Sequence, residues 1–341
     1  MDMQTAVSQV IAGENLSESD MHAVMMTIMT GDATPAQIGG FLVGLRMKGE
    51  TIDEITAAAK VMRELATSVA IGGEHIVDTC GTGGDGAKTF NISTASAFVV
   101  AAAGGQVAKH GNRSISSSSG SADVLEVLGV NLNTSPEQVS QCVQEIGVCF
   151  MFAPLFHGAM KHAIGPRKEL GARTLFNVLG PLTNPAGAKR QVMGVYQQGL
   201  VEPIANVLQK LGSEHVMVVH SEDGMDELSI SAGTWVSELN NGEVSSYTVN
   251  PEDVGLALAP VADLAVDTAE QSAALIQQIF SGSTENQAAR DVVRINAGAA
   301  IYVAGLASSL AEGVEKATDV IDRGLAAEKV AQLVEKTQSY A

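Results

Sequence analysis

Cysteine, positive charge and long apolar runs are all in short supply in this chain. Its three cysteines, Cys80, Cys142 and Cys149, are odd in number and lack metal-site spacing, which excludes a disulfide framework or a cysteine zinc site and predicts free thiols in a reducing cytoplasm. Lysine and arginine number 20 against 38 acids, a formal net charge of −18; so acidic a chain is not a general nucleic-acid binder. No run is long and apolar enough to span a bilayer. Met1–Asp2–Met3–Gln4 offers neither a basic region nor an apolar core, so no export signal is expected. No short internal repeat occurs. A length of 341 residues suits two domains, or one large domain with an appendage.

What is present concentrates between His75 and Arg113. His75–Ile76–Val77–Asp78–Thr79–Cys80 reads as a short strand. A loop carrying Gly81, Gly83, Gly84 and Gly86 follows, and Asn91–Ile92–Ser93–Thr94 opens a small-residue helix running to Gly104–Gly105. A second strand, Gln106–Val107–Ala108, ends in Lys109–His110–Gly111–Asn112–Arg113. Strand, glycine loop and helix N-terminus together aim backbone N–H groups and the positive end of a helix dipole at one point, which suits a phosphate. From Gly86 to Ala122 no acid occurs, while Lys88, Lys109, His110 and Arg113 do. The serine run after Arg113 reads by composition as a flexible linker. Placed between a basic loop and a helix with Val124, Leu125 and Leu128 on one face, it also reads as a second anion cradle, with Ser121 as N-cap and Ser117 and Ser121 its foremost contacts.

Residues 1 to about 70 read as helices only, with starts at Ser17–Glu18–Ser19–Asp20, Thr34–Pro35–Ala36–Gln37 and Thr51–Ile52–Asp53–Glu54. Their apolar faces either pair between subunits or bury against the rest of the chain. Ser135 starts a helix with Val139, Cys142, Val143 and Ile146 on its face, and Val148–Phe152 is a buried strand. A single acid lies between Gly147 and Arg190, against Lys161, Arg167, Lys168, Arg173, Lys189 and Arg190. His157 and His162, five apart, cannot share a metal on one helical face and read as hydrogen-bonding histidines. The breaker-rich loop Phe176–Pro185 suits a crossing between domains. Strands are then expected at Gln191–Tyr196, His215–His220, Ser229–Leu239 and Glu243–Val249, the last two joined through Asn240–Asn241–Gly242. Helices are expected at Val201–Leu211, Ala269–Phe280, Gln287–Ala307, Leu310–Arg323 and from Leu325 onward. The fold class is α/β: a small all-helical domain, and a large α/β domain with a mostly parallel sheet and a helical C-terminal region.

Gly81-x-Gly83-x-x-Gly86 has dinucleotide-fingerprint spacing, but the region about 20 residues on, Ala101–Gly105, lacks the ribose-binding acid. Asp85 inside the loop is tolerable beside a diphosphate if magnesium bridges them or if it caps local N–H groups. Gly86–Ala87–Lys88–Thr89 has one residue too many for a P-loop. Asp223–Gly224–Met225–Asp226–Glu227, after a strand, is either a solvated acidic turn or a magnesium site in which two carboxylates converge with substrate oxygens.

Taken together, Gly81–Thr82–Gly83–Gly84–Asp85, Asn91–Ile92–Ser93–Thr94, Lys109–His110–Gly111–Asn112–Arg113, Arg167, Asp226 and Glu227 resemble the anthranilate phosphoribosyltransferases over nearly the whole chain. Gly158 departs from a common proline. The resemblance implies that residues 1–70 plus about 163–190 form the small domain, on the anthranilate side and at a homodimer interface, and that residues 71–162 plus 191–341 form the large one. It implies phosphoribosyl pyrophosphate at Gly81, Gly84, Asp85, Thr89, Asn91, Ile92, Ser93, Thr94, Lys109, His110, Gly111, Asn112, Arg113, Ser114, Ile115, Ser116, Ser117 and Ser121. It places anthranilate at Gly81, Asn112 and Arg167, and two magnesium ions per subunit, one at Ser93 and one at Asp226 and Glu227. No dedicated acid or base is expected, because an arylamine is already a free nucleophile at neutral pH. Competing expectations are a pyrimidine nucleoside phosphorylase of the same fold, which would lack this motif combination, and a non-catalytic nucleic-acid-binding relative, which intact motifs and acidity oppose.

Overall fold

The computed structural model describes residues 1–114, 119–283 and 285–341. Four helices come first: α1 (Met3–Ile11), α2 (Glu18–Thr30), α3 (Pro35–Lys48) and α4 (Ile52–Glu64). The expected starts hold. Ser17 caps α2, and Thr34 and Thr51 form reciprocal capping boxes with Gln37 and Glu54. Helix α1 lacks such a start signal. Asp2 caps it, accepting from the Thr5 N–H at 2.8 Å, with no glutamate at the third helical position to mark a box. Glu54 does more than cap. Buried, it accepts from Lys48 Nζ at 2.9 Å and from the Leu16 N–H at 2.9 Å, so one carboxylate ties three helices' ends together.

The remainder is built on β1 (Ile76–Gly81), α5 (Ile92–Ala102), β2 (Gln106–Gly111), α6 (Ser121–Val127), α7 (Pro136–Ile146), β3 (Val148–Phe152), α8 (Ala153–Phe156), α9 (Lys161–Leu170), α10 (Phe176–Leu179), β4 (Arg190–Gly194), α11 (Val201–Lys210), β5 (His215–Ser221), β6 (Thr234–Asn240) and β7 (Glu243–Val249). Four helices follow: α12 (Ala269–Phe280), α13 (Gln287–Val303), α14 (Leu310–Asp322) and α15 (Leu325–Gln338). The seven-stranded sheet runs β3-β2-β1-β4-β5-β6-β7. Strands β1 to β5 are parallel; β6 and β7 join antiparallel. The strand expected at Ser229–Leu239 begins only at Thr234, because Ser229 and Ser231 turn back to hydrogen-bond the Asp223 carboxylate. Ser121 is the first residue of α6 and not its cap. Gly120 precedes the helix, and Asp123 accepts the Gly120 N–H at 2.9 Å from within the first turn.

Alternation along the strands sorts two apolar clusters onto opposite sheet faces. Met217 and Val219 join α5, α7 and the C-terminal helices; Val216 and Val218 join α11, the N-terminal helices and Ala163, Leu175, Phe176, Val178 and Leu179. The segment after α8 therefore shares its core with the N-terminal helices although the sheet's first three strands separate them in sequence. Among the described residues no helix is long and apolar enough to cross a membrane.

Candidate active site

Strands β1, β2 and β3 proceed toward one edge of the sheet, and β4 returns to the other side of β1. Such a reversal opens a crevice beyond the carboxyl ends of the strands, where α/β sheets bind ligands. Here the crevice lies beyond β1 and β4 and is floored by glycine. A Cβ on Gly81 would lie 2.4 Å from Asp226 Oδ2, and one on Gly194 only 1.5 Å from the Asp226 carbonyl oxygen. The two glycines thus let the Asp226–Glu227 turn settle directly on the strand ends.

The glycine loop closes over that turn. The Gly83 N–H donates to Asp226 Oδ2 at 2.7 Å, and the Asp226 N–H to Asp85 Oδ2 at 3.4 Å. Asp85 also accepts from the Ala87 N–H at 3.2 Å. Gly83, Gly84 and Gly86 all have positive φ, as does Lys88 at 52°, a conformation in which glycine carries no steric cost. Among the described residues the N–H groups of Gly84, Asp85 and Gly86 meet no acceptor. The far side of the loop is pinned: the Val266 N–H donates to the Lys88 carbonyl at 2.9 Å and the Phe90 N–H to the Leu264 carbonyl at 3.0 Å. Thr89 bridges to Ala265.

Burial sets the electrostatics. Asp226 is raised to about 7, first by loss of solvent and then by the charge of Asp85; Glu227 is raised to about 8, by loss of solvent and then by Asp226. The Ser93 N–H, at the start of α5, faces Glu227 and partly offsets the shift. Lys109 is buried, and its ammonium donates to the Thr79 carbonyl and, at 3.2 Å, to Ser93 Oγ. Burial lowers its pKa while Asp78 opposes that. Asp78 accepts from Asn184 Nδ2 at 2.7 Å and the His110 N–H at 3.3 Å. His110 and His157 lie with ring centroids 5.0 Å apart. Burial, then the neighbouring imidazole, pushes His110 down to about 3, so it is neutral at physiological pH. Both Nε2 atoms are buried and meet no partner among the described residues. His162 instead packs its ring against Gly31.

Asn91, Ile92, Ser93 and Thr94 form the mouth of α5 as expected. Asn91 is held by Ser119 and Ser272, whose hydroxyls donate to its Oδ1 at 2.8 and 2.7 Å. Gly111 ends β2 and Asn112 and Ser114 follow it, with Asp123 accepting the Ser114 N–H at 3.0 Å. Arg113 turns toward its own helix, paired with Glu126 at 2.7 Å and Asp123 at 3.1 Å; the stretch without acids ends just short of these two. The expectations for Ile115, Ser116 and Ser117 lie outside the described residues. Arg167, on α9, is part-buried over the Phe176 ring at 5.2 Å, with no ion-pair partner among the described residues, and burial lowers its pKa.

Among the described residues no three His, Cys, Asp or Glu side chains are arranged as a metal site. Two adjacent carboxylates, Asp226 buried and Glu227 part-buried, raised first by loss of solvent and then by neighbouring acids, nevertheless fit a cation that shares its remaining positions with ligand oxygens and water, as magnesium does. Sequence reasoning missed Gly194, Asn184, Ser119, Ser272 and Arg173. Only Gly194 carried a signal, a glycine at a strand end where another backbone approaches closely.

Residues 4–66 match the helical bundle domain of a glycosyl transferase family and residues 73–327 its a/b domain. An anthranilate phosphoribosyltransferase of Thioalkalivibrio sulfidiphilus is 61% identical over 339 residues, covering 99% of this chain and all of that protein. The crystal structure of anthranilate phosphoribosyltransferase from Thermus thermophilus superposes with a TM-score of 0.93 at 43% identity, over 98% of this chain and 99% of that one. The enzyme from Saccharomyces cerevisiae, solved in complex with phosphoribosyl pyrophosphate and magnesium, superposes at 0.90 with 26% identity, over 99% and 98%. With the fold, the glycine-floored crevice and these matches in agreement, the chain belongs to the anthranilate phosphoribosyltransferase family.

Proposed function

We infer that the chain, in the cytoplasm, transfers the phosphoribosyl group of 5-phosphoribosyl 1-pyrophosphate to the amine of anthranilate, releasing pyrophosphate, as the second step of tryptophan biosynthesis from chorismate. The observation that carries this reading is the crevice at the end of β1, where glycine-loop N–H groups that meet no acceptor among the described residues, and the mouth of α5, lie beside Asp226 and Glu227. Phosphoribosyl pyrophosphate is held by Gly81, Gly84, Asp85, Thr89, Asn91–Thr94 and residues Lys109 to Ser117, with Ser121. Arg167 pairs with the anthranilate carboxylate, with Asn112 and Gly81 nearby. The N-terminal helices with the α9–α10 segment form the small domain and supply the homodimer contact; exposed Ile11, Val43 and Met47 on α1 and α3 fit that role.

Chemically, the pyrophosphate must leave an anomeric carbon while negative charge builds on it. Amide donors already fixed in place stabilise that charge without reorganising. Two magnesium ions, one held at Ser93 and one at Asp226 and Glu227, would supply charge neutralisation of the leaving group. Asp226 and Glu227 would present their carboxylates to the cation, and the Gly83 N–H holds Asp226 in place. Lys109, tied to Thr79 and Ser93, keeps the α5 mouth against β1. Arg167 orients the acceptor, whose amine needs no base. Catalysis is then chiefly positioning.

The test is loss of anthranilate fluorescence on mixing with donor and magnesium, omitting each in turn. Signal loss only in the complete mixture supports the reading; turnover of thymidine with phosphate in its place, or no turnover with the complete mixture, overturns it.

A further inference from the structure

We propose that Arg173 is a positioning residue for the donor: it fixes which way the peptide between Gly84 and Asp85 faces, and so aims the Asp85 N–H into the anion site. The inference rests on the glycine loop being the diphosphate cradle.

Arg173 lies between α9 and α10, on the segment that shares its core with the N-terminal helices. Its side chain is exposed, yet it is held twice. The guanidinium lies 4.3 Å from the centroid of the Tyr196 ring, and one of its nitrogens donates to the Gly84 carbonyl. Stacking on tyrosine holds the planar group at low entropic cost. Tyr196 is itself fixed to the loop: its N–H donates to Thr82 Oγ1 at 3.0 Å, while the Thr82 N–H donates to the Gly194 carbonyl at 3.0 Å. Thr82, Tyr196, Arg173 and Gly84 thus close a ring of contacts around one side of the loop.

The peptides are all trans, and in a trans peptide the C=O and the following N–H point in opposite directions. Drawing the Gly84 carbonyl onto Arg173 therefore turns the Asp85 N–H to the other side, where it meets no acceptor among the described residues. Something has to make that choice. Gly83, at φ 66°, and Gly84, at φ 77°, can rotate their peptides with little steric penalty. A charged donor on the carbonyl selects one orientation, and it polarises the peptide so that its N–H is a stronger donor. Arg173 comes from the helical side, so the same contact makes the cradle's geometry depend on that side being in place.

The experiment compares steady-state kinetics of wild type, Arg173→Ala, Arg173→Lys and, as a reference for the loop, Asn91→Ala. Pyrophosphate binding with magnesium is measured by calorimetry alongside. Arg173→Ala should raise the donor KM and weaken pyrophosphate binding about tenfold, a loss of about 1.4 kcal/mol, while the anthranilate KM stays within about twofold. Arg173→Lys, which keeps charge and donor but not the stacked plane, should fall between. A donor KM at the wild-type value in Arg173→Ala, or equal losses for both substrates, overturns the proposal. If Asn91→Ala also binds pyrophosphate as wild type does, it is the placement of the diphosphate that fails.

Discussion

Gly194, at the carboxyl end of β4, sits so close to Asp226 that a Cβ there would lie 1.5 Å from the Asp226 carbonyl oxygen and 2.4 Å from its carbonyl carbon. The obstacle is backbone, which has no rotamer to escape into. Gly194→Ala must therefore push the Asp226–Glu227 turn off the strand ends, breaking the 2.7 Å bond from the Gly83 N–H. The expected result is a protein destabilised by about 1–3 kcal/mol, the usual cost of overpacking, and a magnesium requirement shifted to much higher concentration. Gly199→Ala, whose Cβ would meet only the Gln197 amide at 3.9 Å, is the control and should leave the magnesium titration unchanged. Parallel titrations of Gly194→Ala and wild type would show that the turn does not place the cation.

Asp78 lies under the site, fully buried, and burial raises its pKa. Asn184 offsets that with a 2.7 Å bond from Nδ2, and the same amide reaches the Ala108 carbonyl at 2.8 Å. One side chain thus joins β1 and β2 from the loop after α10. Asn184→Leu removes the side-chain donor from Asp78 Oδ2 and from the Ala108 carbonyl, leaving Asp78 the longer bond from the His110 N–H. Since an unsatisfied buried polar group costs about 1–3 kcal/mol, more when charged, urea denaturation should show a loss of about 3 kcal/mol. An unchanged midpoint would mean that Asp78 finds another partner.

These two cases mark what was legible in the sequence. Local rules held where the deciding contact was local: Thr34 and Thr51 capped the helices they were expected to cap, and α5 opened at Asn91–Ile92 as expected. The crevice's floor was not local. Gly194 and Asp226 are 32 positions apart and Asp78 and Asn184 are 106 apart, so no spacing rule connects them. Arg173 stood among the basic residues after Gly147, but nothing in its neighbours distinguished it from Lys168 or Lys189; only the fold brings it to Gly84. Conversely, Arg113 was read from an acid-free stretch, and its pairing with Asp123 and Glu126 arises because α6 folds back over that loop.

A charged network far from the crevice gives a pH prediction. Glu238 on β6 accepts from His215 Nε2 at 2.8 Å, Tyr247 OH at 2.6 Å and Tyr302 OH at 2.8 Å. Despite burial, these donors hold its pKa down to about 2, from 4.5. A carboxyl whose folded pKa lies below its unfolded one stabilises the protein above the unfolded value, and that contribution is lost as pH falls from 4.5 toward 2. The difference corresponds to at most about 3 kcal/mol at neutral pH, and screening by nearby solvent lowers it. Chemical denaturation at pH 7 and pH 3 should therefore differ less in Glu238→Gln than in wild type, by about 2 kcal/mol. Identical pH slopes in the two proteins would place the acid sensitivity elsewhere.

Arg167 offers the sharpest test of the acceptor's place. Its guanidinium is part-buried on the Phe176 ring, 5.2 Å from the centroid, without an ion-pair partner among the described residues, and burial makes its charged form more costly. A part-buried cation with no counter-ion among the described residues is retained at a cost, and a bidentate carboxylate is the partner its planar fork fits. Arg167→Ala should raise the anthranilate KM by about one to two orders of magnitude, the equivalent of a charge-assisted hydrogen bond of about 1.5–3 kcal/mol, with the donor KM within about twofold. Arg167→Lys retains the charge but not the fork or the stacked plane, so it should recover only part of that loss. Replacing anthranilate with aniline, which lacks the carboxylate, gives the decisive comparison. Wild type and Arg167→Ala should then turn over aniline at matching low efficiency, and a persisting advantage for wild type would show that Arg167 serves something other than the carboxylate.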